Sequence, residues 1–306
     1  MSDIKLNQLA VLVAVAEQGS FSQAAVELGC TQSRISHALA ELERAVGCRL
    51  LQRSRRGSSL TIAGQQVCQQ ARHILQLVDN IVPSLQQPDG VTGRISIASF
   101  RSIATHVLPT VLTYLARTHP ALEVELLDGC KDSHEVNDAV CSGKATLGIS
   151  SFQLPDTLFQ APFLHDEFML VYPASLNATQ AQPLMQTGQL PYIEAGNAAR
   201  QVVLTHMQQQ GWPLQPARTL NSDGSILALV SQGLGFSILP QLALYPLPEG
   251  VRQHPLPRPL FRPLQLILQH PSWHLPTLQA VVRTLRNRSL LGRLAVFRNH
   301  ILHFRD

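Results

Sequence analysis

The sequence predicts a small all-α N-terminal domain followed by an α/β domain of two lobes. Three observations predict it. The first 46 residues carry apolar side chains at helical spacing, broken by Gly29 and Gly47. Val67, Ala71, Ile74, Val78, Ile81 and Leu85 then recur at alternating steps of four and three. From Gly93 onward, short apolar strands alternate with amphipathic helices, and the theme restarts after residue 162, as expected of parallel-sheet units. A chain of 306 residues that is 45% hydrophobic and 14% charged can bury two or three cores.

In chain order, residues 5–18 form the first expected helix. Its apolar run, Leu9–Ala16, is shorter than the roughly 20 residues needed to span a bilayer. Asp3 precedes it and no cleavage pattern follows, so no signal peptide, no membrane partner and a cytoplasmic location are expected. Ser20 and Gln23 have the spacing of a capping box. They open a helix that carries Phe21, Ala24, Ala25 and Leu28, with Gly29 as its left-handed stop. Thr31 caps the next helix, which sets Ile35, Ala38, Leu39, Leu42 and Val46 on one face before Gly47. Gln32, Ser33, Ser36 and His37 lie off that face, in and next to the first turn. A helix that reads a DNA groove needs this arrangement, packed behind and hydrogen-bonding in front. The alternative is any amphipathic helical hairpin with a solvated polar side.

The next stretch shifts the balance. Arg44, Arg49, Arg53, Arg55 and Arg56 occur with no acid among them, and Gly57-Ser58-Ser59 reads as a turn between Leu50–Leu51 and Leu60–Ile62. A hairpin tipped with guanidiniums suits phosphate contacts, so the layout is that of a winged helix-turn-helix. Residues 1–66 hold seven basic and five acidic side chains. Clustering, rather than total charge, therefore carries this reading, and the net +4 of the whole chain only permits an anionic partner.

The run from Gly19 to Gly64 resembles the N-terminal domain of LysR-type transcriptional regulators. The matching residues are Ser20, Phe21, Ala24, Ala25, Leu28, Gln32, Ser36, Leu42, Glu43, Gly47, Leu50, Arg53, Leu60, Thr61 and Gly64. Where that family usually has proline and a small residue after the glutamine, this chain has Ser33 and Arg34, which bears on the site its helix reads. The resemblance implies a sequence-specific DNA-binding transcriptional regulator. Gln32, Ser33, Arg34, Ser36 and His37 are its expected base-reading residues, and Arg53, Arg55 and Arg56 its expected phosphate contacts.

Thr61 can cap a long helix from Ile62 to Gln87 that displays the seam from Val67 to Leu85. Such a seam fits a partner helix, and the alternative is packing on its own domain. In the family, such a helix is the dimer contact. The expected partners are therefore a second copy of the chain, extending to a tetramer, and double-stranded DNA with an inverted repeat. RNA polymerase is left open as a further partner. Pro83 should bend the last turn, and residues 86–90 read as a linker.

Strands are expected at Arg94–Ser99, Leu122–Leu127, Ala145–Ser150, Glu167–Tyr172, Tyr192–Glu194, Ala217–Leu220, Leu234–Leu239 and Leu264–Leu268. Helices are expected around Ile103–Leu115 (interrupted by Pro109), Glu135–Cys141, Ala198–Gln210, Ser225–Ser231 and Thr277–Leu285. This resembles the family's two-lobed effector domain, built like a periplasmic binding protein. The segment from Leu229 to Pro240 resembles a second family landmark. The division is then 1–61 for the winged domain, 62–91 for the linker helix and 92–306 for the effector domain. Its first lobe is 92–161 with 266–306, and its second is 162–265. The residues after about 290, with Arg293, Arg298 and Arg305 among apolar positions, should form an extra basic amphipathic helix.

In open α/β sheets, ligands lie beyond the carboxyl ends of strands, at helix N-termini. Ser99, Arg101 and Ser102 stand at the first such turn, where the resemblance also puts ligand contacts. Ser150 ends another strand, and Asn197 and Ser222 stand at turns of the second lobe. They predict a small-molecule effector, a small anion, between the lobes. The alternative is that Ser102 only caps its helix and Arg101 pairs with an acid such as Asp128.

Enzymatic chemistry finds little support, and no metal or other cofactor is expected. The twelve histidines show no metal-ligand spacing. Gly233-x-Gly235 precedes a strand instead of opening a helix. Five scattered cysteines suit reduced thiols. A binding protein with an interaction module and an enzyme with a helix-turn-helix appendage are the competing classes. The wing argues against the first, and the missing catalytic constellation against the second.

Overall fold

The computed structural model describes residues 4–54, 57–79, 81, 91–212, 214–269 and 275–305. The N-terminal unit is built from α1 (Leu6–Gln18), α2 (Phe21–Glu27), α3 (Gln32–Val46), the hairpin β1 (Leu51–Ser54) and β2 (Gly57–Leu60), and α4 (Ile62–Asp79). Leu12, Val15, Ala24, Ile35, Leu42, Leu50, Cys68 and Ala71 are fully buried in one core. Left-handed glycines at 19, 29 and 47 divide the helices.

Four sequence expectations change here. Ser20 stands at the N-cap of α2 but makes no side-chain capping bond. That helix ends at Glu27, so Leu28 turns outward and is 38% exposed. Gly57, Ser58 and Ser59 belong to β2 rather than to a turn, because Ser54 pairs with Gly57 and Arg53 with Ser58. Gly57 is needed for a close approach: a Cβ there would meet the Gly19 carbonyl oxygen at 2.7 Å. The seam of α4 is divided between two surroundings. Cys68 and Ala71 are buried in the N-terminal core with Val67 and Leu75 against it, whereas Ile74, Leu77 and Ile81 are exposed. Thr61 caps α4 as expected, its hydroxyl accepting from Gly64 N at 2.9 Å. Pro83, Leu85 and the expected linker at 86–90 lie outside the described residues.

The larger unit begins with β3 (Gly93–Phe100), α5 (Arg101–His106), α6 (Leu108–Thr118), β4 (Leu122–Cys130), α7 (Ser133–Cys141) and β5 (Leu147–Ser150). Pro109 starts α6 instead of interrupting one long helix. The chain then crosses on β6 (Phe159–Pro173). A second region follows, with α8 (Ala178–Gln186), β7 (Tyr192–Ala195), α9 (Arg200–Gln209), β8 (Pro216–Leu220), α10 (Asp223–Ser231), β9 (Ser237–Pro240) and β10 (Val251–Pro255). The return strand is β11 (Phe261–Leu268), and α11 (Pro276–Leu285) packs against β3 and α6.

The sheet is mixed, not the parallel one expected. β3 pairs in parallel with β4 and β5, but β11 is antiparallel to both β5 and β6. The two crossing strands run in opposite directions, so they pair antiparallel. The first part of β6 pairs β11, while its last residues pair β9 and β10. One core gathers around Ile95, Ile97, Leu147 and Leu266, and further cores form around Phe168 and Phe236 and around Val171 and Ile193.

The C-terminal segment is not one amphipathic helix. It forms two single turns, α12 (Arg288–Leu291) and α13 (Ala295–Arg298), and a short strand, β12 (His303–Phe304), paired with β6. Leu291, Val296, Ile301 and Leu302 are buried in the first core, so the segment is tied down too closely to continue as a helix.

Candidate functional site

Two surfaces collect the residues singled out by the sequence. The first is the front of α3. The Thr31 hydroxyl accepts from Arg34 N at 3.3 Å and lies 3.0 Å from the Ser33 hydroxyl. Gln32, Ser33, Arg34 and His37 are exposed, and Ser36 is half-buried. Ser22 donates to Gln32 Oε1 at 3.5 Å. His37 lies 3.7 Å from Glu41, whose other oxygen accepts from Gln8 at 3.0 Å. Glu43 faces backward and accepts from Leu50 N at 2.8 Å and Leu51 N at 3.3 Å, which fixes the first hairpin strand to α3. Ser58 N donates to Gly19 O at 2.9 Å and ties the second strand to the α1–α2 turn. Arg53 lies in β1, and Arg55 and Arg56 lie outside the described residues.

The second is a cavity of about 340 Å³ between the two halves of the larger unit. Four helices begin at its wall: α5 at Arg101–Ser102, α7 at Lys131–Ser133, α9 after Asn197–Ala199 and α10 at Ser222–Gly224. The positive ends of their backbone dipoles therefore converge on one space. Arg101, Ser102, Asn197 and Ser222 line it, but Ser99 and Ser150 do not. Ser99 is fully buried behind the wall. The Ser150 hydroxyl is spent on Asn137 Oδ1 at 2.7 Å and Ser133 O at 3.3 Å, which clamps α7 onto β5. Asn197 and Ser222 both reach the cavity while engaged locally: Asn197 accepts from Ala199 N at 3.0 Å just ahead of α9, and Ser222 caps α10 by accepting from Ser225 N at 3.4 Å.

Sequence reasoning missed several wall residues. Arg262, on β11, forms a bidentate pair with Asp166 at 2.8 Å through both Nε and Nη2, and its guanidinium lies 5.0 Å from the Phe100 ring centre. Asp166 is fully buried and also accepts from Leu242 N at 3.0 Å. Asp223 opens α10 on the opposite side. Burial pushes its carboxyl above the usual carboxylate value, and Arg262 and Arg101 pull it partly back. His106 is pushed below the usual histidine value by burial, offset in part by a backbone hydrogen bond at Tyr245, so it is neutral near pH 7. Ser151, 1% exposed, lines the cavity with a hydroxyl that has no partner among the described residues. An acid in a helix's first turn is ordinary, and Asp166 and Arg262 are 96 residues apart, so neither carried a local signal. Among the described residues, no group of three or more His, Cys, Asp or Glu is arranged to hold a metal, and no single helix is long and apolar enough to cross a membrane.

Comparison with known proteins covers both surfaces. Residues 6–65 match the model of the bacterial regulatory helix-turn-helix protein, lysR family, and residues 88–289 match that of the LysR substrate binding domain. The probable HTH-type transcriptional regulator LrrA of Synechococcus elongatus is 34% identical over 92% of this chain and 97% of its own length. A full-length OxyR variant from Pseudomonas aeruginosa superposes with a TM-score of 0.72 at 20% identity, covering 97% of this chain and 98% of that one. CbnR, solved as the full-length protein complexed with its target DNA, superposes with a TM-score of 0.61 at 22% identity, covering 92% of this chain and 99% of that one. At such identities the two structures speak for the fold alone.

Proposed function

Because the chain belongs to the LysR family of bacterial regulatory helix-turn-helix proteins, we propose that it reads an inverted-repeat operator as a dimer or higher assembly and is switched by a small effector bearing an acidic, anionic group. It is a DNA-binding transcriptional regulator with an effector-binding domain. Residues 1–61 form the reading domain, 62–91 the linker helix, and 92–306 the effector domain with its crossings near 161 and 265. Gln32, Ser33, Arg34, Ser36 and His37 contact bases or their near neighbours from α3. Arg53, Arg55 and Arg56 contact phosphates. The exposed face of α4 at Ile74 and Leu77 meets a second copy.

The observation that carries the effector reading is the convergence of four helix N-termini on one cavity, with Arg101 and Ser102 in its wall. Backbone N–H groups at such ends take anionic groups readily. The size of the cavity lies at the low end for ligand sites, which span about 300–1,000 Å³. An effector that binds one lobe arrangement better than another shifts the population towards it and re-angles the reading domains.

The test is footprinting on the bound operator with and without candidate acids. Arg34→Ala with Gln32→Ala relaxes sequence preference, at about 1–3 kcal/mol per lost bidentate contact. Arg101→Ala with Ser102→Ala abolishes the effector response while the footprint without effector persists. An unchanged footprint in the first variant removes α3 as the reader. An unchanged response in the second removes the cavity as the effector site.

A further inference from the structure

The charges at the cavity wall are not equivalent once their existing partners are counted. Arg262 is already neutralised by Asp166, with two bonds of 2.8 Å. Lys131 lies 3.5 Å from Glu135. Asp132 spends its carboxylate on the N-terminus of α7, accepting from His134 N at 2.9 Å and Glu135 N at 3.2 Å. Two groups remain without a partner of their own: the Arg101 guanidinium from the first half and the Asp223 carboxylate from the second. Neither forms an ion pair or a hydrogen bond through its side chain among the described residues, and both line the same cavity. They are near enough for the Arg101 charge to act on the Asp223 carboxyl.

Resting on the reading of this cavity as the effector site, we propose that the effector is bipolar: a small molecule carrying a carboxylate or similar acid for Arg101 and an ammonium or amidinium for Asp223. The amino acids are the simplest class that fits. A ligand with an acid group alone would satisfy Arg101 and the helix ends but would leave the Asp223 carboxyl, whose charge burial already disfavours, without a cation. A ligand carrying both charges meets each wall with its complement and leaves no charge unpaired as the cavity closes on it. The rest of the wall suits the non-polar part of such a molecule, because Phe100, Phe152, Leu227 and Leu242 line it as well. The unpartnered Ser151 hydroxyl adds one further polar contact for either charged end.

The position of Asp223 also sets selectivity. It opens a nine-residue helix, so its backbone is held by Ser222, whose hydroxyl accepts from Ser225 N at 3.4 Å. The carboxylate is thus presented by a fixed element rather than a mobile loop. Within the class, Asp223 requires an amine and Arg101 requires an acid, and the apolar wall residues choose the side chain between them.

The experiment is a thermal-shift and calorimetric screen of the full chain with the twenty common amino acids, the carboxylic acids that lack only their amino group, and the amines that lack only their carboxylate. Asp223→Asn is screened beside the wild type. In the wild type, at least one amino acid raises the melting temperature, and both of its truncated partners bind about ten- to a hundredfold more weakly. In Asp223→Asn, that amino acid falls to the affinity of its deaminated partner, which itself binds no worse than before. If deaminated acids bind the wild type as well as amino acids, or if Asp223→Asn binds acids and amino acids alike with gained affinity, Asp223 is not an amine receptor and the proposal is overturned while the cavity remains the effector site. If no acid or amino acid binds the wild type at all, the cavity reading falls and the proposal falls with it. The wild-type panel decides the matter even if the variant does not fold.

Discussion

Replacing Asp166 by Asn removes one charge from the strand crossing with almost no change in volume. Asp166 is fully buried, its partner Arg262 is 8% exposed, and three donors converge on the carboxylate at 2.8, 2.8 and 3.0 Å. The variant leaves a guanidinium buried without a counter-charge and turns one acceptor into a donor facing donors. Breaking a buried pair in this way destabilises by about 3–5 kcal/mol. With a urea slope of about 2 kcal/mol per molar, the unfolding midpoint should fall by about 1.5–2.5 M. The double variant Asp166→Leu/Arg262→Met should recover part of that loss, because a hydrophobic pair of similar size avoids both desolvation penalties, while Leu242 N loses its acceptor at a cost of about 1–3 kcal/mol. Urea unfolding followed by tryptophan fluorescence and far-UV circular dichroism reads all three proteins. A shift under about 0.5 M for Asp166→Asn, or a double variant as unstable as the single one, would refute the view that the crossing is pinned by charge pairing.

Three other outcomes follow from individual contacts. Gly64→Ala forces a Cβ into the Leu50 carbonyl at the base of the hairpin, so the N-terminal unit should lose about 1–3 kcal/mol and operator affinity with it; an unchanged melting temperature with full binding would count against this. Arg72→Ala removes the link between Glu17 at 3.3 Å and Ser142 O at 2.9 Å, and gel-shift titration should show operator binding preserved but its effector dependence reduced by about 1–3 kcal/mol of coupling. His165 is held below the usual histidine value by burial, then by the nearby charges of His303 and Arg305, with Asp166 opposing. A histidine whose folded value lies below its unfolded one contributes stability above the unfolded value near about 6.5, and that stability drains away as pH falls towards the folded value. Because His165 and His303 stack at 5.3 Å across the β6–β12 pairing, hydrogen exchange at His303–Phe304 should rise on acidification, and His165→Asn should flatten that response.

The reading helix was legible because its signals are local. Thr31, Gly47 and the spacing of Ile35, Ala38, Leu39 and Leu42 all act within one or two turns, and all take the expected places. Gly57 was misread because the same small residues serve turns and close contacts, and only the neighbouring Gly19 backbone tells them apart. The seam of α4 was visible as a periodicity, yet periodicity does not say which partner covers it, and Ala71 is covered by the chain's own core. In the effector unit, the strand-to-helix turns located Arg101, Ser102, Asn197 and Ser222 at the cavity. Ser99 and Ser150 stand off the cavity for different reasons: Ser99 pairs with Ile149 and is fully buried on one face of the sheet, while Ser150, on the other face, gives its hydroxyl to Asn137 and Ser133 of α7. Asp223 and Arg262 gain meaning only through residues far away in sequence.

The elements between the cavity and α4 limit how a bound effector can act. Helix α7 starts at the cavity with Ser133 and ends beside Ser142, whose carbonyl accepts from Arg72 on α4. Strand β5 joins the same two places: Thr146 at its start accepts from Gln76 on α4, and Ser150 at its end precedes the cavity residue Ser151. The helix and strand are locked together. A Cβ on Gly148 would meet Val136, Val140 and Ile267 side chains at under 3.0 Å, and the Ser150 hydroxyl holds Ser133. All four residues of β5 are buried and pair with β11, and the first three also pair with β3. A strut of this density does not deform gradually. At about 1.5 Å per residue, α7 carries any displacement across about 13 Å as a rigid rod. Movement must then arise where packing leaves room, at the cavity between the halves and along the two crossing strands that Asp166 and Arg262 pin together. These contacts tie the first half to α4, and Arg72, 9% exposed and bonded to both Glu17 and Ser142, joins it to α1 of the N-terminal unit as well.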